Sequence, residues 1–259
     1  MPAPRKENKG SRSGEAEVNP DGIRINKMIA DAGIASRRAA DALIEEGRVQ
    51  INGRVVTELG TRVGPNDRVH VDGKLIGDPA RHVYILLNKP KDTITTTSDE
   101  RGRRTVLDLI DHHDRIYPVG RLDRHTTGVL LLTNDGELAN RLMHPRYEVE
   151  RHYDVDLDRA LSLTDARTIA EGGIDLGNGD ITGLCEVYVD EKDRKIVSIT
   201  LREGKNREVR RLFDAFGYEV LRLQRKMYAG LTTRGLARGE WRYLDRREIS
   251  ALRRMVGLE

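Results

Sequence analysis

The run Gly120-Arg121-Leu122-Asp123-Arg124-His125-Thr126-Thr127-Gly128, continued by Val129-Leu130-Leu131-Leu132-Thr133-Asn134-Asp135-Gly136, constrains this chain more than any other. Its second half reads as an apolar strand over residues 129–133. Its first half is a loop bounded by glycines, with one carboxylate, Asp123, flanked by Arg121 and Arg124. Glycine lets a backbone approach a bulky substrate closely, and the two guanidiniums suit an anionic one. The chain must therefore build a sheet that presents this loop at the end of a buried strand.

The segments around it fit that requirement. Tyr84-Ile85-Leu86-Leu87 reads as a short buried strand ending in Asn88-Lys89-Pro90. The β-branched run 93–97 reads as another strand, and 98–104 as a polar loop. Strand-like runs recur at 149–157, 186–189 and 196–201. Helices are expected at 136–143, where Asn134 and Glu137 have capping-box spacing, and at 208–216. Strands with interspersed helices predict an α+β domain over 82–259 with a mixed, mainly antiparallel sheet. Residues Val149, Arg151, Tyr153, Val155 and Leu157 share one face of their strand, turning Tyr153 toward apolar neighbours. In the helix at 208–216, Val209, Leu212, Phe213 and Phe216 form the inner stripe. At about 100° per residue, Arg207 and Arg211 point away from it, and Arg210 falls at its border. A half-buried arginine calls for an anionic partner.

Residues 23–76 read as a separate small unit. Ile25, Met28 and Ile29 repeat at helical spacing up to Gly33. Ser36 is placed to cap a second helix whose inner face carries Ala40, Leu43 and Ile44. Val49 and Ile51 then alternate with polar residues, and Asn52-Gly53 and Asp72-Gly73 supply hairpin turns. The outward side is basic, with Arg24, Lys27, Arg37, Arg38, Arg48 and Arg54. Residues 77–81 read as a linker. Residues 1–22 carry almost no large apolar groups and are expected to be a disordered tail.

A chain of 259 residues accommodates one large domain and one small one, and 37% hydrophobic residues support packed cores. A net charge of +3 is weak support for a nucleic-acid partner; the clustering of the basic residues is stronger. The single cysteine, Cys185, excludes an internal disulfide and a cysteine zinc site, and suits the cytoplasm. No apolar run approaches the roughly 18 residues that span a bilayer. His112-His113-Asp114 reads as a polar turn, because adjacent residues on regular structure rarely direct two side chains to one ion. No metal is expected.

The long motif around Asp123 resembles the catalytic motif of the pseudouridine synthases, in the branch that acts on ribosomal RNA. The run from Ile34-Ala35-Ser36-Arg37-Arg38 to Gly47-Arg48-Val49-Gln50-Ile51-Asn52-Gly53 resembles the S4 RNA-binding domain. Two further segments match the synthases, Leu87-Asn88-Lys89-Pro90-Lys91 and Glu203-Gly204-Lys205-Asn206-Arg207-Glu208-Val209-Arg210-Arg211. The chain departs from them at Asp92, where the family often has glycine.

The resemblance implies a catalytic domain that turns uridine into pseudouridine without cofactor. Asp123 is the implied nucleophile, by attack at C1′ or at C6 or by way of a glycal. Tyr153 would stack on the target base and serve in proton transfer. Arg210 would pair with Asp123. Lys89, Arg121, Arg124, Lys205 and Arg207 are expected on RNA, as are the six basic residues of the N-terminal unit. Leu223 is expected either in the uracil pocket or in the core. His125 has no implied role. The expected partner is ribosomal RNA, either 23S or a pre-ribosomal particle, acted on by a monomer. The alternatives are a 16S synthase and a non-catalytic S4 assembly factor. The long segment 93–106 favours the large-subunit group.

Overall fold

The computed structural model describes residues 22–77 and 79–259, so the tail expected at 1–22 lies, but for Gly22, outside the described residues. The chain divides into two compact units between Ala80 and Arg81.

The first unit opens with β1 (Ile23–Arg24), α1 (Ile25–Asp31) and α2 (Arg37–Glu45). Strands β2 (Val49–Ile51), β3 (Arg54–Val56), β4 (Arg62–Val63), β5 (Val69–Val71) and β6 (Lys74–Leu75) follow. The Ser36 hydroxyl caps α2 by accepting from the Ala39 amide at 3.0 Å. Asn52-Gly53 and Asp72-Gly73 both have positive φ, as type I′ hairpin loops require. The four-stranded sheet runs β3-β2-β5-β6, all antiparallel. Ile25, Ile29, Ala40, Ile44 and Val49 form its fully buried core. Arg24, Arg37, Arg38 and Arg54 are exposed. Lys27 and Arg48 are not free cations. Lys27 pairs with Asp31 at 2.6 Å, and Arg48 pairs with Asp72 at 2.7 Å and Glu46 at 3.0 Å.

The second unit begins with β7 (Tyr84–Lys89), β8 (Tyr117–Pro118), β9 (Thr127–Thr133), α3 (Gly136–Met143) and β10 (Arg151–Leu157). It continues through α4 (Leu163–Glu171), β11 (Glu186–Val189), β12 (Ile196–Leu201), α5 (Glu208–Ala215) and β13 (Val220–Tyr228). It ends in β14 (Leu231–Thr232), β15 (Trp241–Tyr243) and α6 (Arg246–Met255). Among the described residues, nine strands form one sheet in the order β11-β12-β10-β13-β9-β7-β15, with β14 on β13 and β8 on β9. Every named pair in it is antiparallel except β13 with β9.

The unbroken apolar runs of β7 and β9 are explained by burial on both faces. Tyr84, Leu86, Val129 and Leu131 feed the core under α3 and α6. Ile85, Leu87, Leu130 and Leu132 feed a second core with Val106, Ile110 and Ile116. A third core lies between β10, β12, β13, α4 and α5.

Two local expectations fail. Residues 93–97 form no strand; a single bridge joins Ile94 to Thr105, and the Thr95 hydroxyl donates to the Leu122 carbonyl at 2.7 Å instead. The cap of α3 is Asp135, which accepts from the Leu138 amide. Asn134 turns away, accepting from the Val83 amide and donating to the Arg81 carbonyl. Among the described residues no helix is long and apolar enough to cross a membrane.

Candidate active site

Asp123 lies in the loop that enters β9, and three elements fix that loop. Behind it, Lys89 at the end of β7 is completely buried. Its ammonium donates to the carbonyls of Thr126 at 2.9 Å, Asp123 and Pro90 at 3.1 Å, and Arg124 at 3.3 Å. Burial pulls its pKa down to about 8. Lys89 therefore cannot meet a phosphate, contrary to expectation; it gathers the carbonyls of the Asp123 loop. Beside it, Thr95 both donates to and accepts from the Leu122 backbone. In front, Asp92 has φ +61°, the left-handed region that explains why glycine suits this position. Its carboxylate pairs with Arg124 at 3.2 Å and His125 at 3.3 Å.

The Asp123 side chain is one-third exposed, and its Oδ2 accepts from Arg207 Nη1 at 3.2 Å. Arg210 Nε is 3.9 Å from the same oxygen. The border position of Arg210 on α5 thus brings it to the carboxylate. Arg207, expected only on RNA, also reaches this carboxylate, because the residue is not in the helix at all. It is the N-cap, with φ +49°, so helical phase does not govern where it points. Arg210 is held from its other side by the Val220 carbonyl at 2.7 Å. Burial, and then the charge of Arg207, lower its pKa, while Asp123 opposes them.

Lys205 is likewise engaged, with Glu203 and, at 3.8 Å, with Glu208. Glu208 begins α5 and is buried; its Oε2 accepts from the Lys205 amide at 2.9 Å. Burial and the adjoining Glu203 push its pKa up to about 7. This acid cluster was not singled out from sequence. The i, i+3 spacing of Lys205 and Glu208 at a helix start was the available signal.

A small recess of about 70 Å³ opens beside Asp123, lined by Tyr153, Leu201, Gly204, Val209 and Leu223 and by the charged Lys205, Arg207 and Glu208, with Arg121 at its rim. Tyr153 is half-buried between two cores. The strand alternation expected around it holds from Val155 to Leu157, but an irregularity between His152 and Tyr153 interrupts it. Leu223 is 5% exposed; it packs in the core and also lines the recess. On the other side of Asp123 lies a groove lined by Lys91, Arg124, His125, Arg207, Arg210, Arg222 and Arg238.

Gly128 follows the loop at the parallel contact of β9 with β13. A Cβ there would lie 2.1 Å from the Arg225 carbonyl oxygen, so only glycine fits. Among the described residues no group of three or more His, Cys, Asp or Glu could hold a metal ion. His112 instead faces the Tyr243 hydroxyl at 3.2 Å.

A carboxylate contacted by two arginines, between a mixed apolar and charged recess and a cationic groove, suits a polyanion that carries flat bases. The family model for RNA pseudouridylate synthase matches residues 83–215, and that for the S4 domain matches 23–69. The chain belongs to the RNA pseudouridine synthase family and carries an S4 domain. It is 44% identical to the Ribosomal large subunit pseudouridine synthase B of Bacillus subtilis, over 90% of this chain and 96% of that one. It is 37% identical to the Dual-specificity RNA pseudouridine synthase RluF of Escherichia coli, over 90% of this chain and 79% of that one. A crystal structure described as a pseudouridylate synthase superposes with a TM-score of 0.66 at 28% identity, covering 89% of this chain and 99% of that one. The alternative of a non-catalytic S4 factor is thereby set aside.

Proposed function

We propose that this enzyme converts a uridine of 23S ribosomal RNA to pseudouridine, with Asp123 as the nucleophile. The observation that carries the reading is the position of Asp123 between the recess and the basic groove. The RNA backbone lies along the arginines of the groove, and one nucleotide turns into the recess. Tyr153 stacks on the uracil and replaces part of the stacking lost on flipping, about 1–3 kcal/mol. Leu223, Leu201 and Val209 cover the rest of the ring. The N1–C1′ bond breaks, the uracil rotates while held in the recess, C5 bonds to C1′, the C5 proton leaves and N1 takes one up, so that the product is an isomer of uridine. Attack of Asp123 at C1′ or C6, or a glycal formed by proton loss from C2′, fits the same arrangement. Arg207 and Arg210 hold the carboxylate in place for each route.

The large-subunit assignment is supported by the name of the Bacillus relative. We place the enzyme in the cytoplasm as a monomer, in keeping with its lone buried cysteine; a molar-mass measurement in solution tests the second point. The main test maps pseudouridine chemically in both ribosomal RNAs, with and without the gene. One uridine of 23S RNA should lose its modification, and a loss confined to 16S RNA would overturn the substrate. Asp123→Asn keeps the shape but makes a very poor nucleophile. It should abolish isomerisation and leave RNA affinity near normal by filter binding; appreciable turnover would overturn the role of Asp123.

A further inference from the structure

Strand β13 breaks its own alternation where it passes the catalytic loop. Val220 and Leu223 are buried, while both residues between them, Leu221 and Arg222, are exposed. The pairing with β10 shows why. Leu157 lies opposite Val220 and Asp156 opposite Arg222, which leaves Leu221 without a partner on that strand. Leu221 is the extra residue of a β-bulge. Bulges beside active sites re-aim a side chain. Here the re-aimed side chain is aliphatic and 61% exposed. It lines the groove beside Asp123 with Arg124, Arg210 and Arg238. The bulge is also tied to the catalytic machinery, because the Val220 carbonyl accepts from Arg210.

An exposed leucine is ordinary on a general protein surface. In a groove whose other lining residues are charged or polar it has a narrower meaning. It cannot engage a phosphate. On an RNA strand it can touch only the face of a base or a sugar. Extracting a uridine uncovers one face of the neighbouring base, and apolar side chains act as wedges in such gaps. We propose that Leu221 packs against the base next to the flipped uridine and keeps the gap in the stack open, while Leu223 meets the uracil itself. Two leucines on either side of Arg222 would then divide the work between the two pockets that flank Asp123. The inference rests on Asp123 being the carboxylate at which the uridine arrives.

The test uses the full chain and a ribosomal RNA hairpin that carries the mapped uridine, with 2-aminopurine as its neighbour. Binding by the native enzyme should raise the 2-aminopurine fluorescence as the neighbour loses its stacking partner. Leu221→Ala should reduce that rise and slow the single-turnover rate about tenfold, the scale of taking two or so methylene-sized groups out of an apolar contact. Affinity should change little, because the phosphate contacts are kept. Leu221→Met should restore most of the lost rate. With an abasic residue in place of the neighbour there is no face to pack against, so the native enzyme and Leu221→Ala should react equally. A native rate for Leu221→Ala on the intact hairpin overturns the proposal, as does a deficit that persists undiminished on the abasic RNA. Asp123→Asn is assayed on the same hairpin. Turnover by that variant would overturn the catalytic assignment instead, so the two failures are told apart.

Discussion

Two guanidiniums reach the Asp123 carboxylate, and they differ in how much water surrounds them. Arg207 makes the shorter contact, yet its side chain is 53% exposed, against 18% for Arg210. An exposed ion pair is worth roughly 0–1 kcal/mol. Losing Arg210 also strips the Val220 carbonyl of its donor, and an unsatisfied buried group costs about 1–3 kcal/mol. Arg210→Ala should therefore lower both the thermal midpoint and the single-turnover rate at saturating RNA. Arg207→Ala should leave the midpoint unchanged and reduce the rate less. A normal midpoint and rate for Arg210→Ala would show that the longer contact is idle. Lys89 acts from behind the same loop. Lys89→Met removes one donor from four carbonyl oxygens, so the midpoint should fall by several degrees and turnover should be lost, while affinity for RNA persists. Unchanged melting would mean that the loop needs no support from this ammonium.

At the scale of the element, α5 and the turn before it carry most of what the sequence left unread. The apolar stripe of Val209, Leu212 and Phe213 was legible from its period, and so was the border position of Arg210. The contact of Arg207 with Asp123 was not read because helical phase was extended one residue past the helix start, into a left-handed N-cap. Lys89 was misread because a lysine in a basic segment gives no sign that loop carbonyls surround it. Glu208 was missed because a carboxyl at a helix start is ordinarily a solvated cap. Its burial has a measurable consequence. Its pKa rises from the ordinary 4.5 to about 7 on folding, so the native state holds a proton that the unfolded chain has released between those values. The stability it contributes is complete below about pH 4.5 and is lost as the pH rises through about 7. Glu208→Gln keeps an acceptor for the Lys205 amide and has no such proton to lose. The variant should flatten the fall in thermal midpoint across that window and melt above the native enzyme at pH 8. Parallel curves for the two proteins would show that Glu208 does not titrate there.

On the scale of the whole molecule, both units were legible in outline. The hairpin glycines, the Ser36 cap and the two-sided apolar runs of β7 and β9 each imply one local solution. The sheet order was not, because pairing between strands distant in sequence leaves no local mark. The exposed charges of the first unit separate into two kinds. Arg37 and Arg38 are exposed at the start of α2, whereas Lys27 and Arg48 are held by carboxylates. Replacing Arg37 and Arg38 together by alanine in the full chain should weaken RNA binding and reduce the slope of log affinity against log salt by about two. Replacing Lys27 and Arg48 should change that slope by less. Equal effects in a salt titration would mean that the carboxylate pairs open on RNA.

The proposed nucleophile and the proposed base-stacking ring belong to different halves of the large sheet. Asp123 precedes β9, while Tyr153 and Leu223 lie on β10 and β13. The halves join along the short parallel contact of Gln224 with Thr127 and Arg225 with Gly128. That seam has no room for even a methyl group at Gly128. In the reading proposed above, the distance between carboxylate and uracil is therefore set by how closely two backbones touch at this seam. The smallest edit able to detune it is a single added carbon atom.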